Sequence, residues 1–192
     1  MNKNVTLALA GAASFFATPA FAEVQSGPRV EVLAGYDEIS IDLSDFGLGK
    51  PSEDGIAYGV GAGYDFALSP TAAIGIDLEY TDSSANFAYD VPPEFAEVSA
   101  GRDLYVGARA TFAVSNSFNI YAKAGYTNGR VNVFYDDGVD TFSDGGNGDG
   151  VRGGIGAQLV FGQLYGFAEY RYSNYEAGLS RNQGMLGLGA RF

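Results

Sequence analysis

Asp77 and Glu79 stand two residues apart in "GIDLEY" (75–80). In a strand that spacing puts both carboxylates on one face, where a carboxylate pair can do acid–base work. A second candidate is "SDGGNGDG" (143–150), whose interleaved aspartates and glycines have the composition of calcium-wrapping loops. The surroundings of both argue against chemistry. The chain has no histidine and no cysteine, so Ser-His-Asp hydrolysis, histidine-ligated zinc and histidine general-base catalysis are excluded. A calcium β-helix needs many copies of its repeat, and an EF-hand needs spaced acids closed by a glutamate, which 143–150 lacks. That stretch is expected to be a solvated loop tip, and Asp77 and Glu79 structural ion partners. No catalytic residue, cofactor or metal site is expected.

The elements that must position these residues follow from period-2 alternation, the pattern of strands. Apolar residues share one parity over Val30–Tyr36, Ile56–Phe66, Ala72–Tyr80, Leu104–Val114, Phe118–Tyr126, Val151–Phe161, Leu164–Tyr172 and Leu186–Phe192, giving eight strands. Most run to about ten residues, the length of a tilted membrane strand rather than the five or six usual in soluble sheets. Short connections, "ALSPT" (67–71), "SNS" (115–117) and "GQ" (162–163), alternate with long segments near 38–54, 82–101, 128–150 and 174–181. One end of the fold is expected to be trim and the other to carry loops.

The opposite parity mixes glycine with charge. In the second strand it reads Gly55, Ala57, Gly59, Gly61, Gly63 and Asp65. Glycine weakens an open solvated strand but makes room in a crowded interior, and an eight-stranded barrel is only wide enough for side chains to fill it. A simple hairpin at "ALSPT" would put Gly61 opposite Asp77 and Gly59 opposite Glu79. A two-residue turn at "GQ" would put Gly156 opposite Glu169 and Gly154 opposite Arg171. The inward parity then holds seven acids (Glu31, Asp37, Asp65, Asp77, Glu79, Asp103, Glu169) and six bases (Arg29, Arg109, Lys123, Arg152, Arg171, Arg191). Near-balance is what a poorly hydrated lumen requires of buried charge. Arg109 falls opposite Lys123, so their acidic partners are expected among Glu169, Asp77 and Glu79. The outward parity is almost uncharged, with tyrosine and phenylalanine toward strand ends, as lipid and its two interfaces demand. The expected fold is all-β: an eight-stranded antiparallel up-and-down transmembrane β-barrel, closed so that lipid meets no unpaired backbone.

Near the start of the 192 residues stand Lys3, an apolar run from Val5 to Ala17, and the small-x-small site Ala20-Phe21-Ala22. This is the pattern of a secretory signal peptide, so 1–22 is expected to be cleaved and 23–192 to form the barrel domain. The formal charge is −12, and the long segments carry most of the acids. That rules against a nucleic-acid partner and permits divalent cations or a basic partner surface.

With "RVEVLAGYD" at the start, "FAEYRYSNYE" in the seventh strand and "LGLGARF" at the end, the chain resembles the small outer-membrane β-barrel family, the OmpA/OmpX/opacity-type porin-family proteins of Gram-negative bacteria. The resemblance covers the whole mature sequence and implies residence in the cell outer membrane as a monomer. Its implied partners are outer-membrane lipid and lipopolysaccharide, the barrel-assembly machinery and periplasmic chaperones. It also implies a terminal assembly signal, matched here by Gly187, Ala190 and Phe192, while Met185 departs from the polar residue usual at its position. Unlike the larger members, the chain is expected to end at the eighth strand, without a peptidoglycan-binding domain. Enzymes of resembling families rely on histidine, which is missing. The expected function is structural: a non-enzymatic barrel presenting acidic surface loops, held together by a lumen charge network of Glu31, Asp77, Glu79, Arg109, Lys123, Glu169, Arg171 and Arg191. A narrow porin for small solutes or ions and a surface adhesin or host-binding protein are the alternatives. Closure would lay "MLGLGARF" beside "RVEVLAGYD", with Arg191 near Glu31.

Overall fold

The computed structural model describes residues 24–44, 47, 49–91, 94–136 and 141–192. The expected signal peptide, 1–22, lies outside the described residues. The strands are β1 (Gly27–Ile41), β2 (Ser52–Ser69), β3 (Ala72–Ser83), β4 (Asn86–Val91), β5 (Glu94–Ser115), β6 (Phe118–Asp136), β7 (Thr141–Phe161), β8 (Leu164–Tyr175) and β9 (Leu179–Arg191). Each pairs antiparallel with its neighbour, and β1 joins β9 to close the ring. Segments β3 and β4 follow one another along the same edge of β5. Nine segments therefore occupy eight positions, the ring expected from the alternation.

Closure runs through thirteen consecutive pairs, from Arg29 opposite Arg191 to Ile41 opposite Leu179. This aligns "MLGLGARF" beside "RVEVLAGYD" as expected. The first hairpin departs from expectation by two residues: Gly63 lies opposite Asp77 and Gly61 opposite Glu79. Pairing continues through Ala67 to Ser69 opposite Ala72, with a bulge, so only Pro70 and Thr71 turn the chain. The "GQ" hairpin has the expected register, with Gly156 opposite Glu169 and Gly154 opposite Arg171. Gly162 takes φ +68° there, a conformation that favours glycine in a tight turn.

The long segments are corrected more substantially. Strand pairing runs far into them, and β6 and β7 stay paired up to Asp136 opposite Thr141. "SDGGNGDG" is consequently part of β7 and not a loop tip. Above the lipid-facing band water accepts either face of a sheet, so the apolar alternation that marks a strand disappears while the backbone ladder continues.

The wall's two faces differ as the parities require. Val60, Ile76, Leu78, Ile155 and Leu186 point outward, each about half exposed or more. Outward Tyr36, Tyr58, Tyr80 and Tyr172 lie toward the loop end of their strands, and Phe66, Phe112, Phe161 and Phe192 toward the turn end. Such belts suit the two interfaces of a bilayer. No helix among the described residues is long and apolar enough to cross a membrane. Ile76 lies near the middle of its strand's outward face, opposite Tyr64 and Ala108. Replacing it by lysine should cost about 2–4 kcal/mol of folding free energy, measured by urea unfolding in lipid vesicles. A negligible cost would place this face away from lipid.

Candidate functional site: the lumen charge ladder

The lumen is filled by charge. Its buried charged side chains are the seven acids of the inward parity and seven bases, among the described residues. The seventh base is Arg181, 3% exposed. Sequence reasoning had put it at the end of a loop, but β9 begins at Leu179, which gives Arg181 the inward parity of Gln183 and Met185. The lumen is therefore formally neutral.

Three linked tiers run along the axis. At the turn end, the Arg29 guanidinium bonds Asp77, meets Glu31 at 3.1 Å and Asp65 at 3.3 Å. Arg191 donates to Gln158 at 3.1 Å and lies 3.3 Å from Asp65. The expected Arg191–Glu31 contact is thus replaced by Asp65. Arg191 stands opposite Arg29, whereas Glu31 stands opposite Gly189 and is taken by Arg109 at 3.0 Å and by the Tyr165 hydroxyl at 2.6 Å. Arg109 also lies 3.7 Å above the Tyr121 ring, a cation–π contact.

The middle tier centres on Glu79. It bonds the Lys123 ammonium, meets Arg171 at 2.7 Å and lies 3.6 Å from Arg152. Glu169 is 2.8 Å from Lys123 and accepts the Tyr121 hydroxyl at 2.8 Å. The opposed cations Arg109 and Lys123 both lie 3.9 Å from Asp77 and otherwise draw on different acids. Arg109 uses Glu31; Lys123 uses Glu79 and Glu169. Toward the loop end, Arg152 donates to Asp103 at 2.5 Å and to Ser173 at 2.8 Å. Arg181 bonds Asp37 and reaches Asp103 at 3.3 Å, and Tyr175 and Thr127 both donate to Asp103.

Glycines make the ladder fit. A Cβ on Gly63 would strike the Arg29 guanidinium, and one on Gly154 would crowd Arg171 and Lys123. Others seat aromatic rings that the sequence reading did not single out: Tyr165 over Gly189, Phe167 over Gly187 and Tyr121 over Gly156. Their signal was present, since all three share the inward parity of the charged residues.

Of the proposed assembly residues, Gly187 lies under the Phe167 ring opposite Leu33, Ala190 pairs with Val30, and Phe192 is exposed, its N–H donating to the Pro28 carbonyl at 3.0 Å. Among the described residues, no group of three or more acidic, histidine or cysteine side chains is placed to hold a metal ion. At the loop end, Asp42 lies 2.7 Å from Lys50. That ammonium, with Ser44, holds the Asp42 carboxyl down to about 2, so it stays charged at any physiological pH. Both side chains are exposed, and such a pair adds little stability.

Residues 8–192 match the family profile described as the outer membrane protein beta-barrel domain. The chain belongs to this family. Outer-membrane β-barrels of solved structure share its fold. The attachment invasion locus protein Ail of Yersinia pestis aligns over 88% of this chain and 100% of its own, with 15% identity and a TM-score of 0.56. Neisserial surface protein A aligns over 87% and 98%, with 18% identity and a TM-score of 0.59. No curated protein matches. As an outer-membrane β-barrel the protein resides in the cell outer membrane, and its charge ladder lies within the membrane-spanning ring.

Removing one partner from a buried ion pair leaves an uncompensated charge. Glu79→Gln deprives Lys123, Arg171 and Arg152 at once and should cost about 3–5 kcal/mol in urea unfolding. Glu169→Ala should cost less, because Lys123 keeps Glu79. Equal losses, or none, would show that Glu79 is not the hub.

Proposed function

We propose that this outer-membrane β-barrel is a structural, non-enzymatic component of the envelope that holds an acidic surface outside the membrane and keeps its own lumen shut. The observation that carries this reading is the neutral ladder: guanidinium groups of Arg29, Arg152 and Arg171, each no more than 2% exposed, lie across the lumen against carboxylates of opposing strands. A wide aqueous pore would hydrate these groups rather than bury them. A hollow of about 870 Å³ lies on the outer wall, among Phe112, Ile120, Ile155, Tyr170 and Leu186. The cavity among Ile39, Ala85, Tyr175 and Arg181 at the loop end is about 50 Å³. Neither offers a passage for solutes.

The purified protein, refolded into planar bilayers, should show no steady channel of porin-like conductance. Sustained openings in most insertions would replace this reading with that of a narrow porin. A role in binding host surfaces rests on the loop end, whose acids outnumber its bases. Ail has also been solved with the heparin analogue sucrose octasulfate; the loop end of this chain has the wrong sign for such a polyanion.

Export through a cleaved 1–22 signal peptide, escort by periplasmic chaperones and insertion by the barrel-assembly machinery complete the proposal, with Gly187, Ala190 and Phe192 as the recognised strand. Phe192 supports this part, because it is 71% exposed and its side chain contributes little to the interior. Deleting it should sharply reduce insertion in cells while the purified chain still refolds in detergent with nearly unchanged urea stability. Comparable damage in both settings would make Phe192 a packing residue instead.

A further inference from the structure

Every lysine and arginine among the described residues forms an ion pair with a carboxylate except two, Arg102 and Arg130. Those two stand side by side. The pairing of β5 with β6 slips between Ala100 and Asp103, so that Gly101 and Arg102 together face the single Arg130. A bulge of this kind re-aims a side chain. Here it lays Arg102 beside Asn128, its Nη1 3.5 Å from the amide oxygen, while Arg130 donates to the Asn132 amide oxygen at 3.1 Å. Both guanidinium groups are therefore met by neutral amides, with Arg130 exposed and Arg102 half-buried. Adjacent cations repel, and one anion between them would turn that repulsion into attraction.

Their height on the wall narrows the choice of anion. Tyr80, Leu104 and Asn128 are direct neighbours on β3, β5 and β6, and Arg102 and Arg130 take the next step toward the loop end. The pair thus lies just above the tyrosine belt, at the level of lipid headgroups. Directly below, the outer wall has a hollow of about 650 Å³ lined by Val60, Ala62, Leu78, Leu104, Val106 and Tyr126, and Asn128 forms its upper rim. Asn128 joins the hollow to the cations. A guanidinium group matches the oxygens of a phosphate, and an apolar hollow facing lipid fits an acyl chain. The bulk field works against any anion, since the chain carries a formal charge of −12, so an anion held here is held locally. Asp149, opposite Asn128, is already engaged by neutral donors, the Tyr126 hydroxyl and the Asn128 amide at 2.7 Å.

We propose that the outer wall of β3, β5 and β6 is a binding site for one phosphate-bearing lipid of the leaflet at the loop end. Its phosphate lies between Arg102 and Arg130, and an acyl chain fills the hollow below Asn128. The site rests on residence in the outer membrane and is independent of whether the lumen conducts.

The test is native mass spectrometry of the full protein released from neutral detergent micelles doped with lipid A, with dephosphorylated lipid A or with phosphatidylcholine. Lipid A should be retained saturably at one molecule per barrel, and the other two lipids at least about tenfold more weakly. Replacing both cations, Arg102→Gln with Arg130→Gln, should weaken lipid A by about the same factor while heat-modifiable gel migration stays normal. Lys50→Gln removes another exposed loop-end cation and should change nothing. Leu104→Phe, which intrudes on the hollow, should also weaken retention, and excess inorganic phosphate should not displace the lipid. Equal retention of the three lipids, or a double variant that binds like the parent, would overturn the proposal. Displacement by inorganic phosphate would assign the arginines to a free anion, and loss of binding in EDTA would assign the contact to a bridging cation; either overturns it too. The comparison of lipid A with its dephosphorylated form on the unaltered protein stands even if the variants fail to fold.

Discussion

In a ring of eight strands the inward side chains meet across the axis, and each long one needs a gap in the wall to lie against. That steric constraint governs the composition of this chain. Glycine sits where Arg29, Arg171, Tyr165 and Phe167 lie down, so a residue that weakens an isolated strand becomes the one that lets eight strands close. Adding a methyl at Gly156 or Gly189 would push against an aromatic ring held by its own neighbours. Packing here is decided one layer inside a membrane that itself offers no hydrophobic drive to the interior.

Electrostatics is partitioned along the same boundary. Among the described residues fourteen charged groups are buried in the lumen and balance to zero, while the formal charge of −12 resides almost wholly at the loop end. A buried ion pair is weak evidence for stability in itself, because desolvation offsets much of the attraction. Its effect is on uniqueness: with three bases on Glu79 and two on Asp103, a slip of one strand would turn charges toward lipid. Register is thereby fixed by what it would cost to get it wrong.

Most of this was legible where a strand crosses the membrane, because lipid outside and crowding inside impose opposite demands on alternate residues. The parity of Glu31, Asp77 or Arg171 needed only counting. Two kinds of feature escaped. Partner choice across the lumen depends on the tilt of the strands and on turn geometry, which is why Arg191 was assigned to Glu31 and meets Asp65, and why "ALSPT" misplaced its hairpin by two residues. The height of the wall also escaped, because above the membrane no alternation is enforced; Arg181 and "SDGGNGDG" were assigned to loops for that single reason.

Every position in the ring contributes to the ladder: β1 supplies Arg29, Glu31 and Asp37, β6 supplies Lys123, β7 Arg152, and β9 Arg181 and Arg191. The partners lie on different strands: Glu79 of β3 meets bases of β6, β7 and β8, and Asp103 of β5 meets bases of β7 and β9. A partly assembled sheet would hold unpaired guanidinium and carboxylate groups at the depth of the acyl chains, where a single such group is costly. Assembly is therefore cooperative for an electrostatic reason added to the hydrogen-bonding one. The contact between first and last strands, the most distant in the chain and the slowest to find, is the event that converts a polar half-cylinder into something a bilayer will accept.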